Sequence, residues 1–141
     1  MKKILIIFCF SALTLSNTSE NFKNEYEQLQ KNIGKMIKKD STTYGMHQAL
    51  ITEYEELDRM LNKYYTQLMK NLNEEGKIKL MDSQKEWLKF RDKEYEFYGT
   101  YYHDIGGRGT MWGIVSSENR NTIVLRRVEQ LVKLISDGEP I

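Results

Sequence analysis

Apolar residues recur at spacings of three and four along most of this chain, and no segment shows the period-two alternation of a strand. The first stripe is Phe22, Tyr26, Leu29, Ile33 and Ile37, opened by Ser19 and Glu20. Lysines at 35, 38 and 39 suit the C-terminal end of that helix, where the backbone dipole favours cations. Gly34 weakens its middle by about 1 kcal/mol relative to Ala. Ser41, Thr42 or Thr43 then offers an N-cap for a longer helix, striped by Met46, Leu50, Tyr54, Leu57, Leu61, Tyr64, Leu68 and Leu72. Asn73-Glu74-Glu75-Gly76 is polar, ends in Gly and reads as a turn between antiparallel helices. A third helix is predicted from about Lys77 to Tyr98 and a fourth from about Ile114 to Ser136. The fourth rests on Leu125, Val128, Val132 and Ile135, with Val124, Leu131 and Leu134 beside them. The one proline, Pro140, leaves the chain free to form long helices. The pattern predicts an all-α antiparallel bundle of three to four helices.

Between the last two helices the pattern stops. Residues 99–113 hold five of the nine glycines, together with Tyr101, Tyr102, His103, Asp104, Arg108, Met111 and Trp112. This is expected to be a glycine- and aromatic-rich loop, and a loop of that length in a small bundle tends to be functional or disordered. The aromatic content argues for order. Two readings coexist: Tyr101, Met111 and Trp112 dock on the bundle and close one end of the core, and the tip, residues 103–109, faces a partner.

Two helices carry polar residues where a plain amphipathic helix would carry aliphatic ones. Asp58, Leu61, Asn62 and Tyr65 share one face, as do Gln84, Trp87 and Arg91. Folding the chain between Glu74 and Glu75 sets Asp58 opposite Arg91, Asn62 opposite Trp87 and Tyr65 opposite Gln84. A ladder of three cross-helix polar pairs is therefore expected on the inner faces of this hairpin. Each rung is chemically sound: an Arg fork fits a carboxylate, an indole N–H needs an acceptor, and a phenol and an amide exchange a hydrogen bond. Asp92 is placed to meet Arg126 or Arg127. The ladder reads as an internal network that fixes helix register rather than as an acid–base pair.

Charge and processing signals narrow the function classes. Lys2 and Lys3 precede the apolar run Ile4–Leu15, and Thr14 and Ser16 suit a signal cleavage site, so residues 1–16 are expected to be a signal peptide and 17–141 a single helical domain. The run is too short for a membrane span, which needs about 20 residues. Phe8 stands before Cys9 where a lipoprotein signal requires a small residue, which argues against a lipid anchor. The expected location is the bacterial periplasm or the exterior. Cleavage would leave 19 basic against 20 acidic residues and no cysteine, so neither a disulfide nor a thiolate metal site is available. Without a basic excess nucleic acid is a poor partner. His47 and His103 lie far apart in sequence, which argues against a metal site, and no cofactor fingerprint or nucleophile motif is present. Gly106-Gly107-Arg108-Gly109 resembles a phosphate loop only in its glycines. An enzyme is therefore not expected.

The motifs D-x2-L-N-x2-Y at 58–65 and Q-x2-W-x3-R-D at 84–92 resemble the domain at the N-terminus of LprI-type lysozyme inhibitors, over about residues 42–131. The resemblance implies an all-helical exported domain and, for the group that gave the family its name, inhibition of lysozyme. Members usually carry cysteines where this chain has Ala49, Tyr95 and approximately Ser117–Asn119. It must hold together without staples that typically contribute about 2–5 kcal/mol, with packing around Tyr95, Phe97, Tyr98 and Trp112 as the expected substitute. Three functions are then in competition. One is an inhibitor of a peptidoglycan-cleaving glycosidase such as lysozyme or another muramidase, acting through His103 and Arg108 with Tyr101, Tyr102, Asp104 and Trp112 around them. The second is a non-inhibitory adaptor of the cell envelope. The third is an enzyme of unrecognised type.

Overall fold

A computed structural model describes residues 17–106 and 109–139. The predicted signal segment, 1–16, lies outside the described residues, as does Arg108. Four helices follow in order: α1 (Thr18–Lys39), α2 (Thr43–Asn71), α3 (Glu74–Gly106) and α4 (Thr110–Asp137). No strand occurs among the described residues, and the all-α bundle stands. None of these helices is long and apolar enough to cross a membrane.

Each helix start has a local cause. Asn17 caps α1 by accepting from Ser19 N. Thr42 caps α2 through Gly45 N at 3.1 Å, while Asp40 accepts from both the backbone and the hydroxyl of Thr42. Those two bonds hold the Asp40 carboxyl below its ordinary pKa. Gly45 is required at this corner, because a Cβ there would collide with Asp40 backbone and side chain. The expected four-residue turn after α2 is shorter than the sequence suggested. Asn73 Oδ1 accepts from Gly76 N at 2.8 Å, so Asn73 caps α3 and the acidic pair Glu74–Glu75 occupies its first turn, where the dipole favours carboxylates. The chain reverses at Leu72–Asn73, ahead of the predicted point.

α4 is the central rod, touched by α1, α2 and α3, and its principal partner is α2. The core is built from Leu29 and Ile33 of α1, from Ala49, Leu57, Met60, Leu61, Tyr64 and Leu68 of α2, and from Val124, Val128, Leu131, Val132 and Ile135 of α4. These are the predicted stripes, with Met60 and Ala49 added and Leu134 left outside. Asn121 of α4 is buried within this interface and donates to Leu50 O at 2.9 Å and Glu53 Oε2 at 2.8 Å. Glu53 Oε1 in turn accepts from Gln30 of α1 at 2.7 Å. That chain of bonds links three helices and fixes their register.

The predicted ladder does not form. α3 rides on α4 and barely meets α2, so its polar face looks at a different partner from the one the hairpin model supposed. Arg91 donates to Asp92 of its own helix, from Nε at 2.9 Å and Nη2 at 2.7 Å, rather than to Asp58. Asp92 is thereby also taken from Arg126 and Arg127. Asn62 is exposed and turns back to Asp58, donating to its backbone O at 2.9 Å and to Oδ2 at 3.1 Å. Gln84 accepts from Arg127 Nε at 3.0 Å instead of bonding Tyr65. Trp87 lies between two guanidinium groups, Arg91 at 5.6 Å and Arg127 at 5.8 Å from its ring.

Arg127 is the rivet that replaces the ladder. It is buried, has no carboxylate partner among the described residues, and uses neutral acceptors: Gln84, Gln130 at 2.6 Å and Ser83 at 3.3 Å. Burial lowers its pKa, an effect opposed by the nearby Tyr65 hydroxyl. Planar delocalised charge over an indole is tolerated where a compact ammonium would not be.

Candidate functional site

At the end of the bundle where α2 begins, α3 ends and α4 begins, side chains of all three helices converge. The residues expected to form a fifteen-residue loop are mostly helical: α3 runs on to Gly106 and α4 starts at Thr110. Aromatic residues four apart carry α3 forward. Phe97 stacks on Tyr101 at 5.7 Å and Tyr98 meets Tyr102 at 6.2 Å, so each turn supports the next. The glycines do not stop the helix. Gly99 makes room for Arg120, whose Nη2 would lie 3.3 Å from a Cβ there, and Gly113 faces open space. Gly106 has no substitute in this arrangement, because a Cβ would overlap the indole of Trp112.

Tyr102 and Trp112 close the α3–α4 corner by stacking at 5.9 Å, 19° from parallel. Asn119 locks the stack by donating to the Tyr102 hydroxyl at 3.0 Å. Of the three residues expected to dock, Trp112 does so, on Tyr102, whereas Tyr101 and Met111 do not: they are 44% and 53% exposed. With Phe97, Ile105 and the outer part of Trp112, they form an apolar apron around the corner. His103 and Asp104 stand exposed at its tip, 3.6 Å apart.

Behind the apron runs a groove. One cavity of about 390 Å³ is lined by His47, Gly99, Tyr102, His103, Trp112, Ser116, Ser117 and Arg120 among others. A second, of about 290 Å³, shares His47, Ser117 and Arg120 and extends to Tyr54, Tyr95 and Asn121. Tyr95 ties the three helices here: its ring meets Tyr54 of α2 edge-on at 6.5 Å, and its hydroxyl donates to Arg120 O of α4 at 3.3 Å. Burial is the main reason its hydroxyl is pushed well above the ordinary tyrosine range. This residue stands where the resemblance expected a cysteine, and aromatic packing spans the gap. Ala49, at another such position, is fully buried.

Two participants lie outside the sequence reading. Arg120 and Asn121 lie on or beside the apolar stripe of α4, and a polar residue inside such a stripe is the signal that exposes them. Arg127 is expected from the sequence as a partner for Asp92, whereas the structure sets it on Gln84 and Trp87. His47 is exposed, and the fold brings it to the same groove as His103 although the two lie far apart in sequence. No cluster of three His, Cys, Asp or Glu side chains able to hold a metal occurs among the described residues.

Neither the curated proteins nor the solved structures contain a match to this chain. The family described as lysozyme inhibitor LprI matches residues 36–131. That span covers both polar motifs, the whole of α2 and α3, the aromatic corner and most of α4. The chain belongs to the lysozyme inhibitor LprI family.

Proposed function

We propose that this chain is an exported binding protein that blocks a peptidoglycan-cleaving glycosidase by covering it with the aromatic α3–α4 corner. Family membership supports the inhibitor class. The observation that carries the reading is the apron itself: Phe97, Tyr101, Ile105, Met111 and Trp112 remain exposed although the chain has a well-filled core elsewhere. Contiguous exposed apolar area of this kind marks contact surfaces, and Tyr, Trp and Arg are the residues that most often dominate them. Rings already stacked on one another lose little freedom on binding. His103 and Asp104 supply polar contacts at the tip, and Arg108 follows them in sequence. Glycosidases of this class use a carboxylate pair in a cleft, which a narrow corner bearing donors is suited to cover. Near-neutral net charge gives little long-range steering toward a basic enzyme, so affinity rests on buried area at the corner. Lys2, Lys3 and the apolar run Ile4–Leu15 support the export part of this reading. The action is binding rather than turnover.

The test is residual lysozyme activity over a panel of muramidases with increasing purified protein. Stoichiometric loss of turnover is expected, with Tyr101→Ala weakening inhibition by about tenfold or more and Arg108→Ala by less. Unchanged turnover at large molar excess removes the reading.

A non-inhibitory adaptor is favoured by a different observation. Ile78, Met81, Leu88 and Phe90 are exposed along α3, well away from the corner. A partner laid along that helix would be recovered from periplasmic extract by the wild-type chain and lost with Leu88→Gln, while lysozyme turnover stayed unaffected.

A further inference from the structure

The groove behind the apron has a chemistry that the apron does not. We propose that it is a binding site for a carboxylated sugar, with the Arg120 guanidinium as receptor for the acid and the surrounding rings as a platform for the pyranose. This stands on the groove alone and is independent of the glycosidase reading.

Charge is the first argument. No Asp or Glu lines either cavity, and Arg120, which borders both, has no carboxylate partner among the described residues. The guanidinium is held in place without being neutralised. Nη2 donates to Tyr95 O at 3.1 Å, the group lies 5.4 Å over the Tyr95 ring, and Nε is buried with no hydrogen-bond partner. A cation fixed in a sheltered groove without a counter-charge favours a carboxylate as its partner. Gly99 keeps the α3 backbone close to it, since a side chain there would crowd Nη2.

Size and lining are the second argument. The two cavities share His47, Ser117 and Arg120 in their linings, and the first, at about 390 Å³, is within the range typical of small-ligand sites, roughly 300–1,000 Å³. Tyr102 and Trp112 border one cavity and Tyr54 and Tyr95 the other, so aromatic rings stand on both sides of the cation. Ser117, His47 and Asn121 add hydrogen-bonding groups between them. Ser117 and Asn121 already donate within the fold, to Gly113 O and to Leu50 O and Glu53, so they offer a ligand their oxygens as acceptors. A purely apolar ligand would leave these acceptors and the cation unused. A ring with a C–H face, several hydroxyls and one carboxylate uses all of them.

Calorimetric titration of the purified protein with N-acetylmuramic acid and with N-acetylglucosamine tests this, because the two share a ring and differ in the lactyl carboxylate. Saturable binding of the acid is expected, at least about tenfold tighter than the neutral sugar. Arg120→Gln should reduce the acid to the level of the neutral sugar. Ser117→Trp, which fills the junction while leaving Arg120 in place, should abolish both. Equal affinity for the two sugars overturns the proposal, as does no binding of the acid or full binding by Arg120→Gln. If circular dichroism shows that Arg120→Gln does not fold, the sugar pair and Ser117→Trp decide the matter.

Discussion

α2 and α3 are neighbours in sequence, similar in length and equally helical, yet they are held by different physics. α2 buries Ala49, Leu50, Leu57, Met60, Leu61, Tyr64 and Leu68, whereas α3, with 33 residues, buries none. The α2–α4 seam is a close-packed apolar interface of the kind that carries most of a small domain's stability. The α3–α4 seam is made of half-buried rings, guanidinium groups and amides: Trp87 and Tyr95 from one side, Arg120 and Arg127 from the other. The lesson is that helix formation and core membership are separate properties. α3 is a helix because of its cap, its i,i+4 ion pairs such as Lys79–Glu75, and its stacked aromatics, and it stays attached because Arg127 and Arg120 of α4 grip it at Gln84 and Tyr95.

That contrast can be broken in four places. The largest effect is expected from Leu131→Ala, in the apolar seam: about 2–5 kcal/mol of unfolding free energy, read from denaturant midpoints. A loss below 1 kcal/mol would deny the seam its primacy. Arg127→Ala should cost about 1–3 kcal/mol, by removing the donor to Gln84 and the cation over Trp87. Hydrogen exchange should then quicken in α3 while α2 and α4 stay protected; an equal rise in all three would show that α3 belongs to the core after all.

Tyr95→Phe is expected to cost about 0.5–1.5 kcal/mol at neutral pH, for one hydrogen bond. It also changes the pH dependence. Burial raises the folded-state pKa of Tyr95 above its unfolded value near 10. The folded protein therefore holds that proton more tightly, and the stabilisation is complete below about pH 10 and lost as pH climbs toward the folded value. Stability should fall above pH 10 in the wild type and less steeply in Tyr95→Phe. Burial of Tyr26 and Tyr64 acts in the same direction and accounts for the remaining slope. An alkaline limb identical in the variant would remove Tyr95 from this role. The smallest effect belongs to Phe90→Ser on the outer face of α3, within about 0.5 kcal/mol of wild type by thermal melting. A large loss there would reveal a contact that Phe90 makes in solution, such as a second copy of the chain.

The same contrast explains what could be read in the sequence. Stripes of Leu, Val and Ile gave α1, α2 and α4 and most of their buried residues, because burial of apolar area follows helical periodicity directly. The polar motif on Gln84, Trp87 and Arg91 is legible in the sequence as an inward-facing stripe, and all three residues are half-buried. Its partner was not legible, since periodicity specifies which face turns inward but not which neighbouring rod it meets. Assigning the partner by chain reversal assumed that sequential helices pack most closely, and here the central rod is the last one. At the corner, glycine content suggested a loop where i,i+4 aromatic stacking sustains two helices. Tyr102, Trp112 and His103 do gather at this end as expected, whereas Arg120 went unnoticed because it looked like an ordinary surface cation on an exposed helix.

The opposite pole carries a feature with its own consequence. Thr18 and Glu139 are joined by backbone and hydroxyl bonds to one carboxylate, and Ser19 meets Ser136 at 2.7 Å, so α1 starts where α4 stops. The two ends of the described chain, residues 17 and 139, thus share one pole, about 40 Å along α4 from Trp112. A bead, a dye or a fused reporter attached through either end would leave the far pole unobstructed, and the molecule would stand on its support like a post with its aromatic crown outward.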